Sequence, residues 1–232
     1  MSRDSLVSNA TKLLSPILDE SGAILYSAWD TLCPGRYYIL GLNPGRTTGA
    51  TIRECLSEMK NYTENAYLDE DWSSKTKSYN VGGHPLQLHL KSLFQSLGYD
   101  LRNICASNLI FSGSSPQSPG QSGAGYPGKA NLCWDVHKMI INIVQPKILL
   151  VFGNGIISPY NYLQRKHNEQ FSKWPQDKMV PSGPSKWVCR SFQTTLEGKK
   201  RVVIGIPHLS RYRIDGKYKV IQWIKDITSE FS

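Results

Sequence analysis

The sequence predicts an α/β fold. It is a three-layer α/β/α arrangement around a mostly parallel four-stranded sheet, with an added hairpin strand, in a single domain over residues 1–232. Three observations predict it. Short apolar runs alternate with longer segments of helical periodicity, as a parallel sheet with helical crossovers requires. The runs at 37–40, 147–152 and 202–206 are apolar enough to be buried strands. Two of them end abruptly in turn residues: Gly41-Leu42-Asn43-Pro44-Gly45 follows the first and Pro207-His208-Leu209-Ser210 the last.

In chain order, residues 5–18 carry Leu6, Leu13, Leu14, Ile17 and Leu18 and predict a weakly amphipathic helix interrupted at Pro16. The strand at 37–40 follows, then a short helix at 51–59 and a polar, aromatic, irregular segment at 61–80. Residues 85–97 place Leu86, Leu88, Leu90, Leu93, Phe94 and Leu97 at helical spacing, with Gly98 as a C-cap. Residues 104–111 are a strand containing Asn108, 129–144 a helix ending before Pro146, and 147–152 a strand ending at Gly153-Asn154-Gly155. A hairpin over 187–195 and 200–206 turns at Leu196-Glu197-Gly198, and 220–231 is a C-terminal helix. The Ser/Gly/Pro-rich stretch 112–128 is a long loop; such a loop inside a compact domain is disordered or functional.

A chain of 232 residues can bury a substantial core. No run of 18 apolar residues occurs, so no membrane association is expected. The N-terminus lacks a signal-type apolar core. The five cysteines are odd in number and widely spaced, without a C-x-x-C pair. That argues against zinc, an iron–sulfur cluster or disulfides, and for a reducing cytoplasm. His84, His89, His137 and His167 show no metal-ligand spacing either, so no metal or other cofactor is expected. The net charge is +9, and between Lys186 and Lys219 nine Lys/Arg face two acids. A basic block is usually a solvated face, but this one flanks His208 and suits phosphates.

Open α/β sheets bind ligands at the carboxyl ends of their strands. Asn43 and His208 would share that rim, although each residue type also suits an ordinary turn. With these residues in view, the chain resembles the uracil-DNA glycosylase superfamily. Gly41-Leu42-Asn43-Pro44-Gly45 is similar to the Gly-x-Asn-Pro-Gly motif of its mismatch-specific and single-strand-selective branch. Asn108-Leu109-Ile110 resembles the base-reading strand, and His208-Leu209-Ser210 the second motif, usually His-Pro-Ser. The motifs stand in the family's order over roughly 37–213. Two departures matter: Leu209 replaces Pro, and Gly45 stands where strictly uracil-specific members carry a bulky Tyr.

The resemblance implies an enzyme that flips a pyrimidine out of DNA. Asn43 and His208 would be catalytic. Asn43 would position water, and His208 would donate to the carbonyl of the departing base. Gly41, Leu42, Gly45, Tyr79 and Asn108 would form the base pocket. Tyr79 is one of three stacking candidates with Trp72 and Tyr126, and the family tends to place its stacking ring at the position of Tyr79. Ser210, Arg211, Tyr212 and Arg213 would meet DNA, gripping phosphate or filling the gap the base leaves. The motifs hold no lysine, so no Schiff-base lyase step is expected. The expectation is thus a monomeric, cytoplasmic, monofunctional DNA glycosylase leaving an abasic site. Its substrate would be uracil or a 5-substituted pyrimidine, up to glucosylated 5-hydroxymethylcytosine, in repair or antiviral defence. Two other readings stand beside it: a non-catalytic modified-DNA-binding module of the same fold, and an unrelated α/β enzyme acting on a nucleotide or small molecule.

Overall fold

The computed structural model describes residues 3–45, 49–74, 76–113, 125–182 and 187–231. Its strands are β1 (Tyr37–Gly41), β2 (Cys105–Asn108), β3 (Ile148–Phe152), β4 (Lys178–Pro181), β5 (Val188–Leu196) and β6 (Lys199–Ile206). They form one sheet of six in the order β2-β1-β3-β6-β5-β4. The first four in that order are parallel, and β5 and β4 add antiparallel. The three-layer α/β/α expectation holds, with four parallel strands and β5 as the hairpin strand. The strand count is corrected by β4. Its side chains are exposed or half-buried and carry no long apolar run. Backbone pairing to β5, from Lys178 opposite Ser191 to Pro181 opposite Val188, makes it a strand.

Alternate side chains of the buried strands point to opposite faces, as the pleat requires. Tyr38, Leu40, Leu149, Val151 and Val203 pack on one side with α1 (Asp4–Leu13), α2 (Ile52–Glu58), α5 (Gly128–Val144) and α6 (Pro159–Phe171). Tyr37, Ile39, Leu150, Phe152, Ile204 and Ile206 pack on the other with α3 (Ala66–Asp69), α4 (Pro85–Leu97) and α7 (Tyr218–Ser229). No helix among the described residues is long and apolar enough to cross a membrane.

Local chemistry sets the helix ends. Thr51 and Glu54 form a reciprocal capping box at α2. His84 and Gln87 do the same at α4, where Pro85 takes the first turn and Gly98, at φ +83°, closes the helix. The expected helix at 5–18 ends at Leu13, and Pro16 lies in a separate 3-10 turn, Ser15–Ile17. The β5–β6 hairpin turns on Glu197 and Gly198, both left-handed at φ 50° and 72°. Lys199 and Lys200 are exposed at its tip, but Arg201 is not. The residue is 2% exposed, and its guanidinium donates to the carbonyls of Leu196 and Pro146, tying the hairpin to the end of α5.

One buried pair carries a pH prediction. His137 is fully buried on α5, with Nδ1 2.8 Å from the Tyr38 hydroxyl and Nε2 3.2 Å from the Leu109 carbonyl. The carbonyl can only accept, so Nε2 carries the proton and Nδ1 accepts from Tyr38. Burial lowers the His137 pKa from 6.5 to about 4. The unfolded chain therefore takes up a proton that the folded one refuses between those values. Stability complete above the unfolded pKa is lost as the pH falls toward the folded one, by about 3 kcal/mol. Denaturant melts between pH 7 and 4 should show this loss, and His137→Asn should remove that share of the pH dependence.

Candidate active site

Parallel pairing brings the carboxyl ends of β2, β1, β3 and β6 to one edge. Asn108 ends β2, Asn43 lies two residues past β1, and His208 two residues past β6. Neighbouring strands are about 4.8 Å apart, so Asn43 and His208, with β3 between them, stand roughly 10 Å apart along the edge.

Asn108 lies opposite Gly41 in the register of β1 and β2. A Cβ built on Gly41 would come within 2.0 Å of Asn108 Oδ1. Gly41 is therefore needed because the Asn108 carboxamide occupies the space over the end of β1. That side chain is 5% exposed. Among the described residues, no hydrogen bond takes up its carboxamide. The backbone behind it is fixed. Leu109 N–H donates to Gly41 O at 2.8 Å, Ile110 N–H to Leu42 O at 2.9 Å, and Ser107 Oγ to Ile24 O at 2.5 Å.

The Asn43 turn is anchored by buried Pro44, with Leu42 and Asn43 half-buried. Asn43 Nδ2 donates to the Pro44 carbonyl at 3.1 Å, which orients the amide. Gly45 is exposed, and no described atom lies within 4 Å of a Cβ built there. A Cβ at residue 45 would thus touch none of the described atoms.

His208 is set as a neutral donor. The Ser210 N–H points at its Nδ1 from 3.3 Å, with Ser210 Oγ at 2.8 Å. A backbone N–H can only donate, so Nδ1 accepts and the proton sits on Nε2. The ring has an exposed face, yet the surrounding protein desolvates it. That desolvation, then Arg211 and His84, lowers its pKa below the usual histidine value. The loop after it alternates from Arg211 to Asp215. Leu209, Tyr212 and Ile214 are buried, while His208, Arg211, Arg213 and Asp215 are exposed. Leu209 is 0% exposed, and its carbonyl is 2.7 Å from His89 Nδ1. Leu209 thus anchors the loop through the core.

Tyr212 is a correction. It is 3% exposed, packed with the core, and its hydroxyl donates to Ser182 O at 2.9 Å. The two-residue spacing that turns Arg211 and Arg213 outward turns Tyr212 inward, so it neither grips phosphate nor fills a gap in DNA. Arg211 is exposed, and Arg213 reaches Asp215 at 3.4 Å on the surface. Lys217 and Lys219 continue this basic surface, half-buried and exposed respectively.

Of the three aromatic candidates, two lie beside His84: Tyr79, and Trp72 with ring centroids 5.5 Å from it. The half-buried Tyr79 ring meets His84 edge-on at 5.1 Å, and His84 is the histidine whose field reaches His208. Trp72 packs on Tyr26 and Tyr67 and donates to Glu70 at 2.8 Å, while Tyr126 packs against the opposite core. His84 escaped the sequence reading, which weighed it only as a metal ligand. Its signal was His84-Pro85-x-Gln87 ahead of an apolar periodic run, a helix start at the sheet's active edge. Among the described residues, no three His, Cys, Asp or Glu come together as metal ligands.

Two cavities lie away from this edge. One of about 210 Å³ lies at the opposite ends of the strands, by Arg36, Tyr37 and Cys105; one of about 380 Å³ lies against β5, by His167, Trp174 and Phe192. The long loop expected at 112–128 falls mainly on residues 114–124, outside the described residues. Compared with protein-family models and with curated proteins, the chain matches none.

Proposed function

We propose that the protein is a monofunctional DNA glycosylase that excises a modified pyrimidine. The observation that carries this reading is the buried Asn108 amide laid over Gly41, beside Asn43 and across from the neutral donor His208. A carboxamide offers one acceptor and two donors, which matches a pyrimidine edge. The C1′–N bond breaks with its electron pair passing to the base. His208 Nε2–H donates to the base carbonyl as that charge develops. Asn43, through its amide oxygen, orients a water toward C1′. That water adds to the sugar and gives up a proton, and the base leaves after gaining one. The products are a free base and an abasic site. Asn43 is too weak a base to ionise the water, so catalysis rests on position and electrostatics.

The partner in this reading is DNA, the protein acts as a monomer in the cytoplasm, and no cofactor takes part. All five cysteines are free, three of them buried, which suits a reducing compartment. The open space at Gly45 suits 5-substituted pyrimidines as well as uracil, which would place the protein in repair or in defence against phages with modified DNA. The test is purified protein on DNA carrying uracil, 5-hydroxymethyluracil or glucosylated 5-hydroxymethylcytosine, followed by alkali. Alkali-labile sites at the modified base support the reading. DNA binding without them marks a non-catalytic binding module instead.

The exposed cations near His208 predict the salt response. If Arg211, Arg213 and Lys219 meet phosphates, affinity falls linearly with salt on logarithmic axes, and each Ala variant lowers the slope by about 0.7–0.9. Lys199 and Lys200, at the opposite end of β6, serve as controls with unchanged slope.

A further inference from the structure

An extruded base leaves a hole in the duplex, and proteins that open base steps commonly fill it with an apolar side chain. With Tyr212 buried, the loop after His208 offers only polar or charged side chains outward, Ser210, Arg211 and Arg213. The loop after β3 differs. Strand β3 lies between β1 and β6, so its loop rises between the Asn43 and His208 turns. It carries Ile156 and Ile157, 78% and 52% exposed.

Exposed isoleucines on a slack loop would mean little, but this loop is held at both ends. Gly153 N–H donates to Ile206 O at 2.8 Å, and Asn154 Nδ2 to Val188 O at 2.6 Å, which fix its start to β6 and β5. Ser158 Oγ donates to Gly155 O at 2.6 Å and accepts from Asn161 N–H at 3.2 Å, closing the turn and starting α6. The backbone is thus pinned while the two branched apolar side chains face water. Gly155, with no described atom within 4 Å of a built Cβ, adds no bulk before Ile156.

We infer that Ile156 is the wedge that enters the base stack of duplex DNA when the target nucleotide is extruded. The inference rests on the glycosylase reading and adds a substrate form to it: the protein is built to open duplexes. A side chain that holds a stack open has no task on a single strand, which separates this role from pocket binding or catalysis.

The experiment compares wild type with Ile156→Ala on one modified sequence, as duplex and as single strand. Single-turnover release from the duplex should fall at least about tenfold in Ile156→Ala, with release from the single strand unchanged. Ile156→Leu should restore duplex activity, and Val81→Ala, which trims another exposed aliphatic residue, should leave both substrates unaffected. A second readout needs no cleavage. With 2-aminopurine next to the modified base in the duplex, saturating wild type should raise fluorescence through unstacking, and saturating Ile156→Ala should not. Equal loss on both substrates, no loss on either, or a full fluorescence rise with Ile156→Ala would overturn the inference. Failure of wild type to release any base would count against the glycosylase reading, and the fluorescence comparison would still decide the wedge.

Discussion

Replacing His208 by Ala lowers single-turnover base release by about 10²–10³-fold, the usual cost of one preorganised donor, and leaves DNA affinity nearly intact. The expectation follows from the ring's setting. Ser210 N–H fixes the tautomer, so Nε2–H is ready without reorganisation at the moment of bond breaking. The lowered pKa adds a pH signature. A histidine acting as a cation would lose rate as the pH rises through its ordinary value near 6.5. A neutral donor with a depressed pKa shows no loss of rate as the pH rises through that value and changes only in more acid solution. Asn43→Ala should cost a similar factor with the same sparing of affinity, because the lost group orients water and does not hold DNA. Stopped-time assays at saturating enzyme on both sides of about pH 6.5, with binding measured separately, check both. Near-wild-type release by both variants would remove the site from this edge of the sheet.

Gly45→Tyr should suppress release of 5-substituted pyrimidines by at least about 10²-fold while sparing whatever activity exists on uracil. No described atom lies within 4 Å of a Cβ built at residue 45, and circular dichroism of the variant checks that it folds. A change in activity then reports on what the space admits. A ring there displaces a bulky substituent from the geometry the reaction needs, and misplacement near 1 Å already costs about 10² in rate. Competition between uracil and 5-hydroxymethyluracil DNA in one tube reads the switch directly. Parallel loss on both substrates would show that the residue 45 position does not sort them.

Much of this site was legible in the sequence because buried parallel strands read as apolar runs and their ends as Gly, Pro and Asn. Strands β1, β3 and β6 and the turns bearing Asn43 and His208 were visible for that reason. Strand β4 was not, because an exposed edge strand has no buried face to write an apolar pattern. Helix α6 shows only Pro159, Tyr160, Tyr162 and Leu163 to the core among polar residues, so its periodicity is faint. The placement of Asn108 over Gly41 depends on register between segments far apart in the chain, which neither segment shows alone. Tyr212 looked like a surface residue among arginines. The burial of Leu209, Tyr212 and Ile214 has meaning only once the core beneath them exists. Ile156 and Ile157 read as ordinary apolar residues until the sheet order set their loop between the turns bearing Asn43 and His208.

If this edge of the sheet breaks an N-glycosidic bond in DNA, mass spectrometry of the small molecules released from a panel of DNAs will detect the freed base. The panel should hold uracil, 5-hydroxymethyluracil and phage DNAs with hypermodified cytosines, each treated with wild type and with Asn43→Ala. The account predicts a free pyrimidine from at least one of them with wild type, an equal number of abasic sites left behind, and sharply reduced release with Asn43→Ala. Salt-sensitive binding to the same DNAs with no free base from any of them would contradict it.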